Sequence, residues 1–376
     1  MRQKLIGFIV IAHILVACGN SQATIVPAPT PTQLKSPEYG IQAFLWWKPE
    51  ITKRDLTLVQ QMGFTWVKQN IAWRDIEIAK GQYSWSLADD VVRRVGRRPG
   101  IKLIVRLDRQ PFWSQASGTA TLENAPPANL ADFGSFCHAL ADRFKGQIAA
   151  YEVWNEPNLS REWGNQPPDP QKYVELLKAC YSGIKTADPN AIVISAGMAT
   201  TGTSDQTAMP DDQFIDQMYQ AGAANYFDML GVNAPGYKAP PEISPDEVAA
   251  RSDLGGQRFF AFRHVEDIRA IMQKYHDDRK QIGIMEFGWT TDPIHPEYAW
   301  HAVTEQQQAD YLVRAYQYAY NHWSPWISIM AVLSLPDPFW TTADEQYWWA
   351  ITYPDWPENK VRPAYAALKA MPKLQK

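Results

Sequence analysis

The chain has 376 residues, with 36 Lys and Arg against 40 Asp and Glu, a formal charge of −4, three cysteines and 16 tryptophans. A mildly acidic chain carries no electrostatic footprint for nucleic acid. Cys137 and Cys180 have no cysteine or histidine at ligand spacing beside them, which argues against a zinc site built on them.

At the start, Arg2 and Lys4 precede an apolar stretch from Leu5 to Ala17 that ends at Cys18. A spanning helix needs about 20 apolar residues. A stretch of 13 with His13 inside it reads as a signal peptide instead. Leu15, Val16, Ala17 and Cys18 resemble the lipobox of bacterial lipoproteins, which implies cleavage after residue 17 and a lipid on Cys18. Removing residues 1–17 takes away Arg2 and Lys4, so the charge goes from 36 minus 40 to 34 minus 40, or −6. Residues 18–37 are rich in Pro, Thr, Ala and Gln without an apolar period and read as an extended tether. The expected product is an exported body of residues 38–376 at a bacterial cell surface or in the periplasm. It would be a monomer that meets the membrane only through its lipid anchor.

That body reads as eight strand–helix repeats. The predicted strands are Ile41–Trp47, Thr65–Ala72, Lys102–Asp108, Ala149–Asn155, Ala191–Gly197, Phe227–Asn233, Ile282–Glu286 and Ile327–Ser334, with room for a helix in each interval. Thr52 with Asp55 and Thr304 with Gln307 have capping-box spacing, and Asp169 before Pro170 looks like a cap with proline in the first turn. Cys137 and Cys180 fall on the apolar faces of two successive predicted helices and point inward at the sheet. They read as buried thiols, although export leaves a disulfide open. The longest irregular stretch, Ala234 to Gln257, follows the sixth strand with four prolines and is expected to shape a cleft. The predicted fold class is α/β, a single (β/α)8 TIM barrel, which typically needs ~250 residues. A doubly wound open sheet would usually bring a glycine-rich loop after its first strand. FLWWKPEITKRD contains no glycine.

Two glutamates end buried strands of this scheme. Glu156 follows the run from Ala149 to Trp154, and Glu286 follows Ile282 to Met285. In a barrel the carboxyl ends of all strands converge on one face, so residues distant in sequence meet there. Cleaving an acetal needs one carboxyl group kept neutral to protonate the leaving oxygen and a second kept ionised to attack the anomeric carbon. The chemistry calls for no metal and no organic cofactor.

Asn155, Glu156 and Pro157 at the end of a fourth strand, with Glu286 at the end of a seventh, resemble the (β/α)8 retaining glycoside hydrolases of clan A, the four-seven superfamily. The stretch WVKQNIAWRDIEIAKGQYSW, from Trp66 to Trp85, looks most like family 39, the β-xylosidases and exopolysaccharide endoglycosidases, with family 5 second. The resemblance implies a carbohydrate substrate, Glu156 as general acid/base, Glu286 as nucleophile and Asn155 on the sugar 2-hydroxyl. It also implies carboxyl groups ~5 to 5.5 Å apart. Two positions depart from the pattern. Lys68 stands where many relatives carry an arginine bonded to the nucleophile, and a lysine lacks the fork of donors. Asn233 and Tyr237 stand near the sixth strand, where relatives often carry a histidine and a tyrosine.

Flat rings suit the apolar faces of sugars. Trp46, Trp113, Trp289 and Trp340 follow strands on the active side, and about half of them are expected to reach the cleft, the others joining the core. Arg106 and Asp108 close the third strand, either meeting sugar hydroxyls or forming a strand-end ion pair. The leading reading is a surface-tethered retaining β-glycoside hydrolase. The alternative, resting on Lys68 and Asn233, is a catalytically silent glycan-binding lipoprotein on the same barrel.

Overall fold

The computed structural model describes residues 33–116, 124–355 and 360–376. The expected signal peptide, the lipidation site Cys18 and the tether as far as residue 32 lie outside the described residues. Among those described, no helix is long and apolar enough to cross a membrane.

Eight short strands, mostly buried on both faces, form one parallel sheet: β1 (Glu38–Gln42), β2 (Trp66–Ala72), β3 (Lys102–Asp108), β4 (Ala150–Val153), β5 (Ile192–Ser195), β6 (Leu230–Pro235), β7 (Ile282–Gly288) and β8 (Ile327–Val332). Near-continuous apolar runs such as IVIS and ISIMAV are what a strand covered on both sides requires. Neighbours follow the order β5-β4-β3-β2-β1-β8-β7-β6, and a parallel bridge between Ile194 and Met229 joins the two outer strands. Eight principal helices lie between and after the strands: α1 (Pro49–Met62), α2 (Ser86–Gly96), α3 (Leu130–Arg143), α4 (Pro170–Ala187), α5 (Asp211–Gln220), α6 (Val265–Lys274), α7 (Glu305–Tyr318) and α8 (Pro363–Ala370). This is the expected (β/α)8 barrel.

The barrel interior changes character along its axis. Trp66, Ile104, Ala150, Ile194, Met229, Met285 and Ile329 form an apolar floor. Two residues further along the same strands, the alternation of side chains brings in Lys68, Arg106 and Glu152. Register aligns them: Arg106 on β3 pairs with Asn70 on β2 and with Glu152 on β4, and Asn233 on β6 pairs with Glu286 on β7 after an irregularity at Val232.

Three local expectations change. The first strand begins three residues earlier than predicted, because its partners on β8 and β2 take Glu38 to Gln42. The following aromatic run, strand-like in sequence, leaves the sheet, and Phe44, Trp46 and Trp47 wall a cleft. Thr52 is no cap. Pro49 starts α1 behind Lys48, and the Thr52 hydroxyl donates to the carbonyls of Leu45 and Lys48 inside the first turn, while Asp55 pairs with Arg54. The caps at Thr304 and Asp169 form as read, the first as a full capping box with Gln307.

The third change concerns Cys137 and Cys180, which are buried but joined in a disulfide between α3 and α4, with Cα atoms 5.3 Å apart. Two glycines allow this approach. A Cβ on Gly183 would overlap the carbonyl oxygen of Gly134, and one on Gly134 would lie 3.0 Å from the carbonyl of Ala179. The helices therefore meet backbone to backbone, close enough for the two buried sulfurs to bond.

Candidate active site

At the carboxyl ends of the strands lies a cleft of about 910 Å³. Asn155 and Glu156 enter it from β4, Asn233 and Tyr237 from β6, and Glu286 from β7. The turn after β4 is unusual. Trp154 has φ 79° and Glu156 φ 39°, both in the left-handed region that bulky residues avoid. The Trp154 indole N–H donates to the Glu162 carbonyl at 2.9 Å, and the Glu156 backbone N–H donates to the Gly197 carbonyl at 3.2 Å. These contacts hold a conformation that costs on the order of 1–3 kcal/mol per residue. The outcome is a carboxyl group raised from the strand end into the cleft.

The two carboxyl groups sit in opposite electrostatic settings. Glu286 Oε1 accepts from Lys68 Nζ at 3.1 Å and from an Arg106 guanidinium nitrogen at 3.3 Å. Burial favours its neutral form, but these two cations outweigh burial and hold its pKa below the ordinary glutamate value. Glu156 has no such pair. Burial, followed by the charges of Glu286 and Glu162, pushes its pKa up to about 7, against the opposing pull of Arg161 and of the Asn233 amide. Arg161 stands 3.6 Å away with its side chain 72% exposed, so water screens most of its effect. Asn233 Nδ2 donates to Glu156 Oε1 at 3.1 Å. At neutral pH the cleft thus offers one anion and one half-protonated acid, the pattern that general acid catalysis beside a carboxylate requires.

The two departures from the family pattern take part in this arrangement. Lys68 is 1% exposed and lies beneath Glu286, also donating to the Met285 carbonyl at 3.1 Å, so it is out of reach of a ligand in the cleft. Lys68 therefore meets Glu286, the partner its strand position implied, and not a sugar in the cleft. The missing guanidinium arrives from the neighbouring strand as Arg106, which also donates to Asn155 Oδ1 at 2.8 Å. The expected ion pair of Arg106 with Asp108 forms as well, Nε to Oδ2 at 3.1 Å. Asn233 fits because Gly197 faces it. A Cβ on Gly197 would overlap Asn233 Oδ1 and sit 2.7 Å from Cγ.

Of the four tryptophans singled out, Trp46 and Trp340 line the cleft. Trp289 does not. It is fully buried, donating to the Ala239 carbonyl at 2.9 Å, in space left by Gly236. Trp113 packs edge-on against Trp73 and donates to the Glu77 carbonyl, away from the cleft. Tyr237 lines the cleft with its hydroxyl on Thr200. Sequence reading missed Trp47, Trp349, Tyr298 and His301, which also line it, together with the carboxylates Asp337 and Glu345. The signal available was the aromatic content of the loops after β7 and β8, in EYAWH and EQYWWA. Among the described residues no group of three or more His, Cys, Asp and Glu could hold a metal ion.

The model of the family Cellulase (glycosyl hydrolase family 5) matches residues 28–222. No curated protein of similar sequence was found. Solved structures share the fold at low identity. A family 39 glycoside hydrolase from the gut symbiont Bacteroides cellulosilyticus WH2 has a TM-score of 0.63 at 20% identity, over 89% of this chain and 64% of that one. This chain therefore spans less than two thirds of that enzyme's length. A glucosidase from Croceicoccus marinus has a TM-score of 0.60 at 15% identity, over 90% and 68% of the two chains. An endoglucanase from Pseudomonas stutzeri has 0.55 at 13%, over 88% and 92%.

Proposed function

Because the chain belongs to the cellulase family, glycosyl hydrolase family 5, and is thus a glycoside hydrolase, we propose that it cleaves β-glycosidic bonds of a polysaccharide or oligosaccharide with retention of configuration. Glu286 is the nucleophile in this reading and Glu156 the general acid/base. In the first step a Glu286 oxygen bonds to the anomeric carbon as the bond to the leaving oxygen breaks, and the Glu156 proton passes to that oxygen. In the second, water attacks the anomeric carbon and gives its proton to Glu156. The bond to Glu286 breaks and its electron pair returns to the carboxylate. Loss of the Glu286 charge in the ester removes the second-largest cause that raises the Glu156 pKa, which suits Glu156 to its role as base.

The single observation that carries this reading is the opposed titration of two carboxyl groups facing one cleft. Lys68 and Arg106 hold one ionised, and burial keeps the other protonated to about pH 7. Asn155, tied to Arg106, is available for the sugar 2-hydroxyl, while Trp46, Trp340 and Tyr237 offer ring faces and edges to the sugar. Lys68 and Asn233, which kept the silent binding protein in play, each bond one of the two glutamates and so favour catalysis.

The test uses residues 19–376 on a panel of aryl β-glycosides and plant and microbial polysaccharides, beside Glu286→Ala and Glu156→Ala. The expected result is a β-configured first product from the parent and no turnover by either variant on the polysaccharides. Glycan binding without turnover, equal in all three proteins, would return the silent binder. The lipobox and Pro-rich stretch support anchoring of a monomer at the cell surface through Cys18. Labelling with radioactive palmitate in a bacterial host should be lost in Cys18→Ser.

A further inference from the structure

Two large aromatic side chains stand open to water, side by side, where the cleft meets the surface. Trp47, in the loop after β1, is 50% exposed, and Phe339, in the loop after β8, is 61% exposed. Their rings meet edge to face, with centroids 5.7 Å apart at 85°. Trp47 lines the cleft and Phe339 does not, so the pair carries an aromatic surface past the cleft wall. The same two loops supply an inner pair. Phe44 and Trp340 also meet edge to face, with centroids 4.9 Å apart, but both are half-buried and both line the cleft. β1 and β8 are paired strands, and Phe339 adjoins Trp340 in sequence. The inner and outer pairs therefore belong to one surface that leads out of the cleft.

The outer pair is held in place by a carboxyl group that has no other work. Asp337 is buried, its Oδ2 accepting from the Trp47 indole N–H at 2.7 Å and its Oδ1 from the Phe339 backbone N–H at 2.9 Å. Pro336 and Pro338 restrict the backbone on either side of it. Taking a carboxyl group out of water is unfavourable, and here its two partners are surface rings and not the barrel core. Rings fixed in this way bind a ligand without losing rotamer freedom. Adjoining exposed rings mark a binding surface more often than single exposed residues do. Crossed at 85°, they make a corner and not a plate. Such a corner suits one sugar ring, whose apolar C–H face lies on one aromatic ring while its edge meets the other. Lys48 Nζ, 5.6 Å from the Phe339 centroid, offers a donor to a sugar hydroxyl there.

We propose that Trp47 and Phe339 form an outlying sugar subsite, set by Asp337, which binds a further unit of a glycan chain whose reacting part lies in the cleft. The substrate is then a chain long enough to reach from the two glutamates to the rim, in preference to a disaccharide or a simple glycoside. The inference rests on the reading of the cleft as a glycan site given above, but its main readout does not need turnover.

The experiment measures, by calorimetry, the affinity of Glu286→Gln for β-1,4-linked gluco-, xylo- and manno-oligosaccharides of increasing length. In one of these ladders the affinity should rise with length, and the unit that reaches the rim should add about two- to tenfold, the range for one ring contact. Adding Phe339→Ala should remove that last rise and spare the earlier ones, while Phe339→Trp should keep it. Phe339 is mostly exposed, so its loss leaves the core intact. Trp47→Ala is a second route to the same loss. A last rise that survives in both alanine variants overturns the proposal, as does the absence of any rise with length in all three ladders. So does a dimer of the parent in sedimentation that Phe339→Ala dissolves, which would give the corner to a second copy of the chain. Hydrolysis of an aryl β-glycoside by the parent without a length effect would sink the outer subsite alone. A length effect lost in Phe339→Ala, in a parent that hydrolyses nothing, would instead fail the hydrolytic reading alone.

Discussion

Gly197 lies at the end of β5 with no role in the chemistry, yet adding one methyl group there should move the pH profile. An ideal Cβ on Gly197 overlaps Asn233 Oδ1, stands 2.7 Å from Cγ and 3.2 Å from the Asn233 backbone nitrogen. The backbone has little room to give, so in Gly197→Ala the Asn233 side chain must rotate. Its 3.1 Å bond to Glu156 Oε1 is then lost. A hydrogen bond to a charged group contributes about 1.5–3 kcal/mol, and the neutral acid keeps part of that, leaving a difference of about 1 kcal/mol between protonation states. This corresponds to about 0.7 pKa unit. The bond favours the ionised form, so its loss raises the Glu156 pKa above its value of about 7. The alkaline limb of kcat/KM, measured on an aryl β-glycoside from pH 4 to 10, should therefore move up. Crowding adds about 1–3 kcal/mol of destabilisation, so the assay belongs well below the unfolding transition, with Asn233→Ala as the second route to the same shift. A limb that stays put or moves down in both folded variants would refute the link from Gly197 through Asn233 to the acid.

Further outcomes follow from the same contacts. The disulfide closes a loop across a sequence separation of 43, and replacing Cys137 and Cys180 with Ala should lower the unfolding free energy in urea by about 3–4 kcal/mol by the chain-entropy model. Trp289→Ala, deep in the core, should cost about 3–5 kcal/mol of stability. Trp46→Ala, on the cleft wall, should raise KM on oligosaccharides with little change in the urea midpoint. His264 is buried, which would lower its pKa, but Asp211 and Asp267 at 3.2 and 2.9 Å outweigh burial and raise it to about 10. A raised folded pKa means the stabilisation is complete below about pH 6.5 and is lost as pH climbs toward 10. His264→Gln should flatten that part of the curve of unfolding free energy against pH.

What the sequence made legible and what it hid divide along a physical line. Strand alternation and the spacing of eight apolar runs are local properties, and they carried Glu156 and Glu286 to one face of a barrel. The identity of the cation on Glu286 is not local. Lys68 precedes Glu286 by 218 positions and Arg106 by 180, and that both reach it depends on register between strands. That register sets Arg106 opposite Asn70 and Glu152. A strand-end arginine beside Asp108 reads from sequence as a simple ion pair, which it also is. The tryptophans show the same limit from the other side. Trp46 and Trp289 both follow strands on the active face, but Gly236 leaves a hole into which Trp289 folds back, and no comparable hole receives Trp46 among the described residues. The two helix glycines act alike on the cysteines, since Gly134 and Gly183 decide the helix distance and hence whether two inward thiols meet. In each case a residue without a side chain determines where a distant one with chemistry ends up. Glycines facing such residues are therefore where a second sequence of this family should be read first, because a single alanine there would move Asn233, Trp289 or the disulfide while leaving every strand in place.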